Sequence, residues 1–317
     1  MYLLAAPLSH AGDLKAKALS KASRAKTSRA KTSLAKASPA LTRQSIKVAM
    51  PPDILLLGDS QLAFGAGPVF FKFFKQLTKA CAGLLRHRQF FAKLDAINIR
   101  VMGVRSTSLR HWTTNRWSAK KMVCQEDPKW AVNARLYGFP ANRDGTYVQI
   151  GHARGFRYCK PKSTALNLML HDPAARPRLL FMYFMGNAVG HWSKKSTAQE
   201  DVRTLTAALP RDLPCIFMTT SPTYRKSINR RRLKAQRGIK AAFEAGMGRC
   251  QFIPGLDPKT IAAIEGHPAY FRKHPSGKVK DPYHLNKAGA VIMGRLKRDE
   301  ICRAVAVALG SSLRAGH

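Results

Sequence analysis

The stretch Asp53-Ile-Leu-Leu-Leu-Gly-Asp-Ser-Gln61 decides how this chain reads. Its first half, Asp53 to Gly58, is a short continuous apolar run that stops at glycine. Such a run suits a strand buried on both faces. Its second half, Gly58-Asp59-Ser60-Gln61, puts a serine on a tight turn between that strand and a following helix. A helix amino terminus behind the serine stabilises negative charge. Taken alone, the tetrapeptide is weak evidence and fits an ordinary turn better.

Working outward, comparable runs recur. Ile97 to Met102 is a second strand candidate, Arg178 to Met185 a third, Pro214 to Thr220 a fourth, and Cys250 to Ile253 a weaker fifth. Helical patterns fall between them. Val69 to Leu85 has roughly helical apolar spacing. Thr197-Ala-Gln-Glu200 is a capping-box pattern that predicts a helix running to Leu209. Asn229 to Ala245 is a basic amphipathic candidate, and Lys287 to Leu309 a long closing helix. Strands alternating with helices imply a parallel sheet covered on both faces. Ligands of such sheets bind beyond the carboxyl ends of the strands.

Chemistry-bearing residues stand at four of those ends. Ser60 follows the first run. Gly103 follows the second, where a glycine lets a backbone N–H approach a ligand closely. Asn187 follows the third and carries a side-chain amide donor. Near the carboxyl end stands Asp281-Pro-Tyr-His284. The spacing lets the carboxylate reach the nearer ring nitrogen of the histidine on the same loop, freeing the other to face the serine. Base plus orienter is the logic of an activated hydroxyl nucleophile.

Ser, Gly, Asn and Asp-x-x-His in this order resemble the SGNH hydrolase superfamily, the GDSL esterases and lipases, from about Asp53 to Leu309. The resemblance implies an α/β fold: a three-layer, flavodoxin-like α/β/α sandwich with about five parallel strands. It implies Ser60 as nucleophile, His284 as base and Asp281 as its partner. Ser60, Gly103 and Asn187 would be the oxyanion donors. Two positions depart from the pattern. Ala188 stands where many members have Asp, and Arg105 and Ser106 follow Gly103 where many have a second glycine. The long interval before the third strand reads as an insertion of about residues 107–177, holding Trp112, Trp117 and Trp130. Those aromatics could wall a sugar site or simply pack a small subdomain.

Composition bounds the rest. The 317 residues are 45% hydrophobic and 9% aromatic, which excludes a wholly disordered chain. With 55 Lys plus Arg against 17 Asp plus Glu, the net charge is +38, a strong attraction for polyanions. Residues 1–50 carry ten Lys plus Arg and one acid. Ser23-Arg-Ala-Lys-Thr27 repeats there as Ser28-Arg-Ala-Lys-Thr32, a period of five that matches neither helix nor strand. That region reads as a disordered basic tail, ahead of a catalytic domain over 51–310. Residues 1–11 resemble the end of a truncated signal peptide, so the expected location is periplasmic or secreted. No transmembrane run is present. The six cysteines form no zinc-type spacing, so no metal is expected. Cys215 and Cys250 read as plain core residues. Cys124 and Cys159 read either as a disulfide or as two thiols.

The function expected is ester hydrolysis through an acyl-serine, without metal or organic cofactor. The substrate class expected is an acylated acidic or cell-wall glycan, with Arg105 placed to meet an anionic group. Transfer to a sugar hydroxyl instead of water stays open. The competing classes are a nucleic-acid or polyanion binder, which no recognisable motif supports, and an inactive SGNH-like glycan-binding protein. Arg230-Arg231-Arg232 reads as a solvated helix face.

Overall fold

In the computed structural model, Ile54–Gly58 forms β1 and Ile99–Gly103 forms β2 beside it. The structure describes residues 52–82, 99–104, 106–114, 123, 136–137, 149–150, 163–173 and 175–314. The basic tail, Arg105, Trp117, Trp130, Cys124 and Cys159 therefore lie outside the described residues. Leu136–Tyr137 (β3) and Gln149–Ile150 (β4) make a short antiparallel pair. Leu179–Tyr183 (β5), Cys215–Met218 (β6) and Gln251–Ile253 (β7) complete a five-stranded parallel sheet in the order β2-β1-β5-β6-β7. Numbering only these five along the chain gives 2-1-3-4-5, the flavodoxin-like doubly wound order. Its topological switch lies between β1 and β5. Phe271–Lys273 (β8) and Val279–Leu285 (β9) form a separate antiparallel hairpin.

The helices are α1 (Gly67–Lys75), α2 (Leu77–Ala80), α3 (Leu109–Thr113), α4 (Ala165–His171) and α5 (Val189–Trp192). They continue as α6 (Lys195–Ala208), α7 (Lys226–Glu244), α8 (Pro258–Ile264) and α9 (Lys287–Arg314). Successive strand side chains point to opposite faces, so the sheet carries two cores. Leu55, Leu57, Leu180, Met182 and Phe217 pack under α3 to α7. Ile54, Leu56, Leu179, Phe181 and Met218 pack under α1, α2, α8 and α9. Two buried faces make three layers, and they explain why β1, β5 and β6 are apolar at every position. Burying one Leu or Phe side chain contributes roughly 1.5–3 kcal/mol.

Several local expectations are corrected. The capping box does not form, because α6 begins two residues before Thr197. The Thr197 hydroxyl instead donates to the carbonyls of His191 and Lys194, tying α6 to α5. The segment from Val69 is interrupted at Gln76, where the backbone leaves helical geometry (ψ 36°) between α1 and α2. Trp112 is fully buried in the core, so packing is its role. Cys215 and Cys250 are buried but bonded to each other. The β6–β7 register pairs Ile216 with Gln251, so their predecessors are neighbours on adjacent strands. A second disulfide, Cys81–Cys302, ties the end of α2 to α9 across 221 residues of chain. Closing so long a loop removes denatured-state entropy worth about 5 kcal/mol in the chain-entropy picture.

Candidate active site

The switch point is where the candidate residues gather. Asp59 follows β1 and is fully buried. Its Oδ1 accepts the Gln61 N–H at 2.8 Å, as a helix N-cap does. Its Oδ2 accepts the N–H groups of Met185 (3.2 Å) and Gly186 (3.0 Å). One carboxylate thus fixes the Ser60 turn and ties it to the end of β5. Burial pushes its pKa up, against those backbone bonds and the positive charge of Arg232.

Ser60 then opens a helical stretch containing a π-helical turn, Leu62–Ala66. That turn lies against β9 so closely that a Cβ on Gly65 would sit 2.2 Å from the Leu285 carbonyl oxygen. Only glycine allows this approach, and it brings together residues 224 apart in sequence. His284 Nε2 lies 2.8 Å from Ser60 Oγ.

The Asp-x-x-His segment is strand β9 rather than the loop expected. A regular strand would turn Asp281 and His284 to opposite faces. The hairpin register breaks here: Arg272 pairs with Asp281, and Phe271 with Leu285. Pro282, Tyr283 and His284 therefore bulge outward between the two pairs. The bulge folds back on Asp281, whose Oδ1 accepts the N–H groups of Tyr283 (3.0 Å) and His284 (3.2 Å). Its Oδ2 meets His284 Nδ1 at 2.8 Å. Burial raises the Asp281 pKa, but the hydrogen bond from His284, its charge and the two backbone N–H groups outweigh that and hold it below its ordinary value. Phe64 packs on the imidazole with ring centroids 4.7 Å apart.

A cleft of about 310 Å³ opens over the pair, lined by Ser60, Gln61, Ser106, Asn187, Arg232 and His284 among others. Asn187 sits in the 3₁₀ turn after β5, and its Nδ2 donates to the Thr107 carbonyl at 2.7 Å. The amide carries a second N–H. Gly103 is placed differently from the turn glycine expected. It is the last residue of β2, and a Cβ there would lie 2.5 Å from the Ala63 nitrogen. Val104 donates to the Gly58 carbonyl at 3.0 Å. Strand alternation then turns the Gly103 N–H away from β1. Ser106 borders the cleft instead, with φ 60°, the sole non-glycine at positive φ among the described residues. Arg105 lies outside the described residues.

The lining residues that sequence reasoning missed include Gln61 and Arg232. Gln61 Nε2 donates to the Tyr283 carbonyl at 2.6 Å, binding the serine turn to the histidine bulge. Nothing in its spacing marks it. Arg232 is a correction: Arg230 and Arg231 are exposed as expected, but Arg232 is 3% exposed and lines the cleft. Its Nη1 donates to the Ser221 carbonyl at 2.9 Å. The signal was present, since Arg232 keeps helical phase with the buried Ile228, Ala235 and Ile239.

Among the described residues no group of His, Cys, Asp and Glu could hold a metal ion, and no helix is long and apolar enough to cross a membrane. No family model and no curated protein sequence matches the chain. Solved structures similar to it include a family 3 carbohydrate esterase of Clostridium thermocellum, at TM-score 0.41 and 11% identity over 82% of this chain and 100% of that one. Another is a salicylyl-acyltransferase from a tetracycline biosynthetic pathway, at TM-score 0.40 and 10% identity over 82% of this chain and 57% of that one. A third is a gut microbial diltiazem-metabolizing enzyme, at TM-score 0.38 and 12% identity over 83% of this chain and 47% of that one.

Proposed function

We propose that the protein is a serine esterase acting through an acyl-serine intermediate. The observation that carries this reading is the unbroken line Ser60 Oγ, His284 Nε2, His284 Nδ1, Asp281 Oδ2, with both contacts at 2.8 Å. His284 takes the Ser60 proton as Oγ attacks an ester carbonyl, then gives it to the leaving alcohol. Asp281, kept ionised, holds the proton on Nδ1 and stabilises the imidazolium. The Ser60 N–H and the free Asn187 amide hydrogen serve the oxyanion. We place the third donor at Ser106 rather than at Gly103, because Ser106 is on the lining. Water then attacks the acyl-serine, with His284 again as base.

The proposed substrate class is an O-acylated acidic or cell-wall glycan, supported by the charge of +38. Export is proposed with it. The disulfides Cys81–Cys302 and Cys215–Cys250 support this, since such bonds persist in oxidising compartments. The test is labelling by a fluorophosphonate probe, read by peptide mass spectrometry. The adduct is expected on Ser60 and absent from His284→Ala protein. An unlabelled Ser60 in folded protein would sink the reading.

A further inference from the structure

We propose that a cation-lined pocket beside the Ser60–His284 pair binds a carboxylate carried by the substrate. The inference rests on the esterase reading and assigns a site to a part of the substrate that does not react. The pocket is about 480 Å³, roomy enough for a sugar-sized group. Its lining includes Gly186, Ser193, Arg231, Arg232, Lys234 and Tyr283. Gly186, Arg232 and Tyr283 also line the reaction cleft, so the two spaces share a wall. Among the described residues the lining has three cations and no carboxylate.

Arg232 is the informative member. It is 3% exposed, and its Nε is buried with no hydrogen-bond partner among the described residues. Asp59 is the carboxylate nearby, but both its oxygens already accept backbone N–H groups. A buried charge left with unused donors is costly unless a partner completes it. The guanidinium fork matches the two oxygens of a carboxylate. Arg231 and Lys234, exposed on the same helix, add attraction from the open side.

The test compares matched esters, with the carboxylate on the acyl side in one arm and on the alcohol side in the other. The acyl arm sets 4-nitrophenyl hemisuccinate against 4-nitrophenyl acetate. The alcohol arm sets O-acetylated galacturonate against O-acetylated galactose. In at least one arm the anionic ester should show a kcat/KM higher by about tenfold or more, the scale of one charged hydrogen bond. That ratio should fall several-fold, without reaching one, in the Arg231→Ala/Lys234→Ala double variant, whose substituted positions are exposed and which keeps Arg232; an unchanged ratio there would overturn the pocket. Ratios near one in both arms, while the neutral esters are turned over, would overturn the pocket and leave the esterase intact. If Ser60 takes no label and no ester is cleaved, the esterase reading fails separately. Calorimetry with succinate and galacturonate then decides the pocket: binding that weakens in the double variant supports it, and no binding, or binding the double variant leaves unchanged, overturns it.

Discussion

Two buried cations in this molecule are treated in opposite ways. Lys297, in the middle of α9, is 1% exposed at its side chain and bonds both Asp257 and Glu300. Asp257 also caps α8 through the Thr260 N–H, so the lysine stitches two helices together. Arg232, in α7, is also buried and lines the cleft, but it meets a backbone carbonyl, and its buried Nε has no hydrogen-bond partner among the described residues. The first site is closed by carboxylates that belong to the fold. The second has a donor, Nε, that no described residue accepts from. A cation whose bonds are all internal can only stabilise, whereas one with donors left over can also recognise.

If the comparison holds, damage near the cleft should remove activity and damage at Lys297 should remove stability. The largest effect is expected from Ser60→Ala, with turnover of a chromogenic short-chain ester falling on the order of 10⁴-fold or more. Its urea midpoint should stay close to that of the unsubstituted protein, because Ser60 packs no core. Asn187→Ala should lower kcat on the order of 10²–10³-fold, read under saturating ester. An unchanged kcat there would remove the amide from the oxyanion site.

Lys297→Ala should reverse the pattern. Removing one partner of a buried ion pair costs about 3–5 kcal/mol. Asp257 and Glu300 are partly exposed (26% and 35%), so the low end applies. The loss should appear in urea unfolding, with turnover per folded molecule preserved. The smallest effect concerns acid. Burial raises the Asp257 pKa, but the bond from Lys297 and the Thr260 N–H outweigh it, so the folded value lies below the ordinary 3.8. A depressed carboxylate contributes stability above its unfolded pKa and loses it as pH falls through the folded one. The stability gap between the unsubstituted protein and Asp257→Asn should therefore be full above about pH 4 and close below it. A gap that widens on acidification would contradict the assignment.

The same contrast marks what could be read from the sequence. The strands β1, β5 and β6 were plain as apolar runs, because a strand buried on both faces has no polar position to disguise it, whereas the edge strands β2 and β7 carry Arg100 and Gln251. Ser60 and Asn187 stand out because each follows a strand, and Asp281 and His284 because their three-residue spacing lets the two side chains meet, although that segment is strand β9. The signal at Gly103 was ambiguous, because a glycine beside a strand end serves backbone packing as well as ligand approach. Arg232 was hidden in a triplet of arginines, where composition says surface and only helical phase says otherwise. The Cys215–Cys250 bond needed the β6–β7 register, which no local pattern encodes.

The sequence by itself determined the layers and pointed to residues that meet at the switch point, since apolar periodicity and residue chemistry are local properties. Tertiary structure alone decided that Ser60 meets His284, that a bulge in β9 turns Asp281 onto the imidazole, and that Arg232 faces the cleft. Those outcomes depend on strand register and on one backbone contact at Gly65. Such contacts join segments far apart in the chain, and only the packed sheet fixes them.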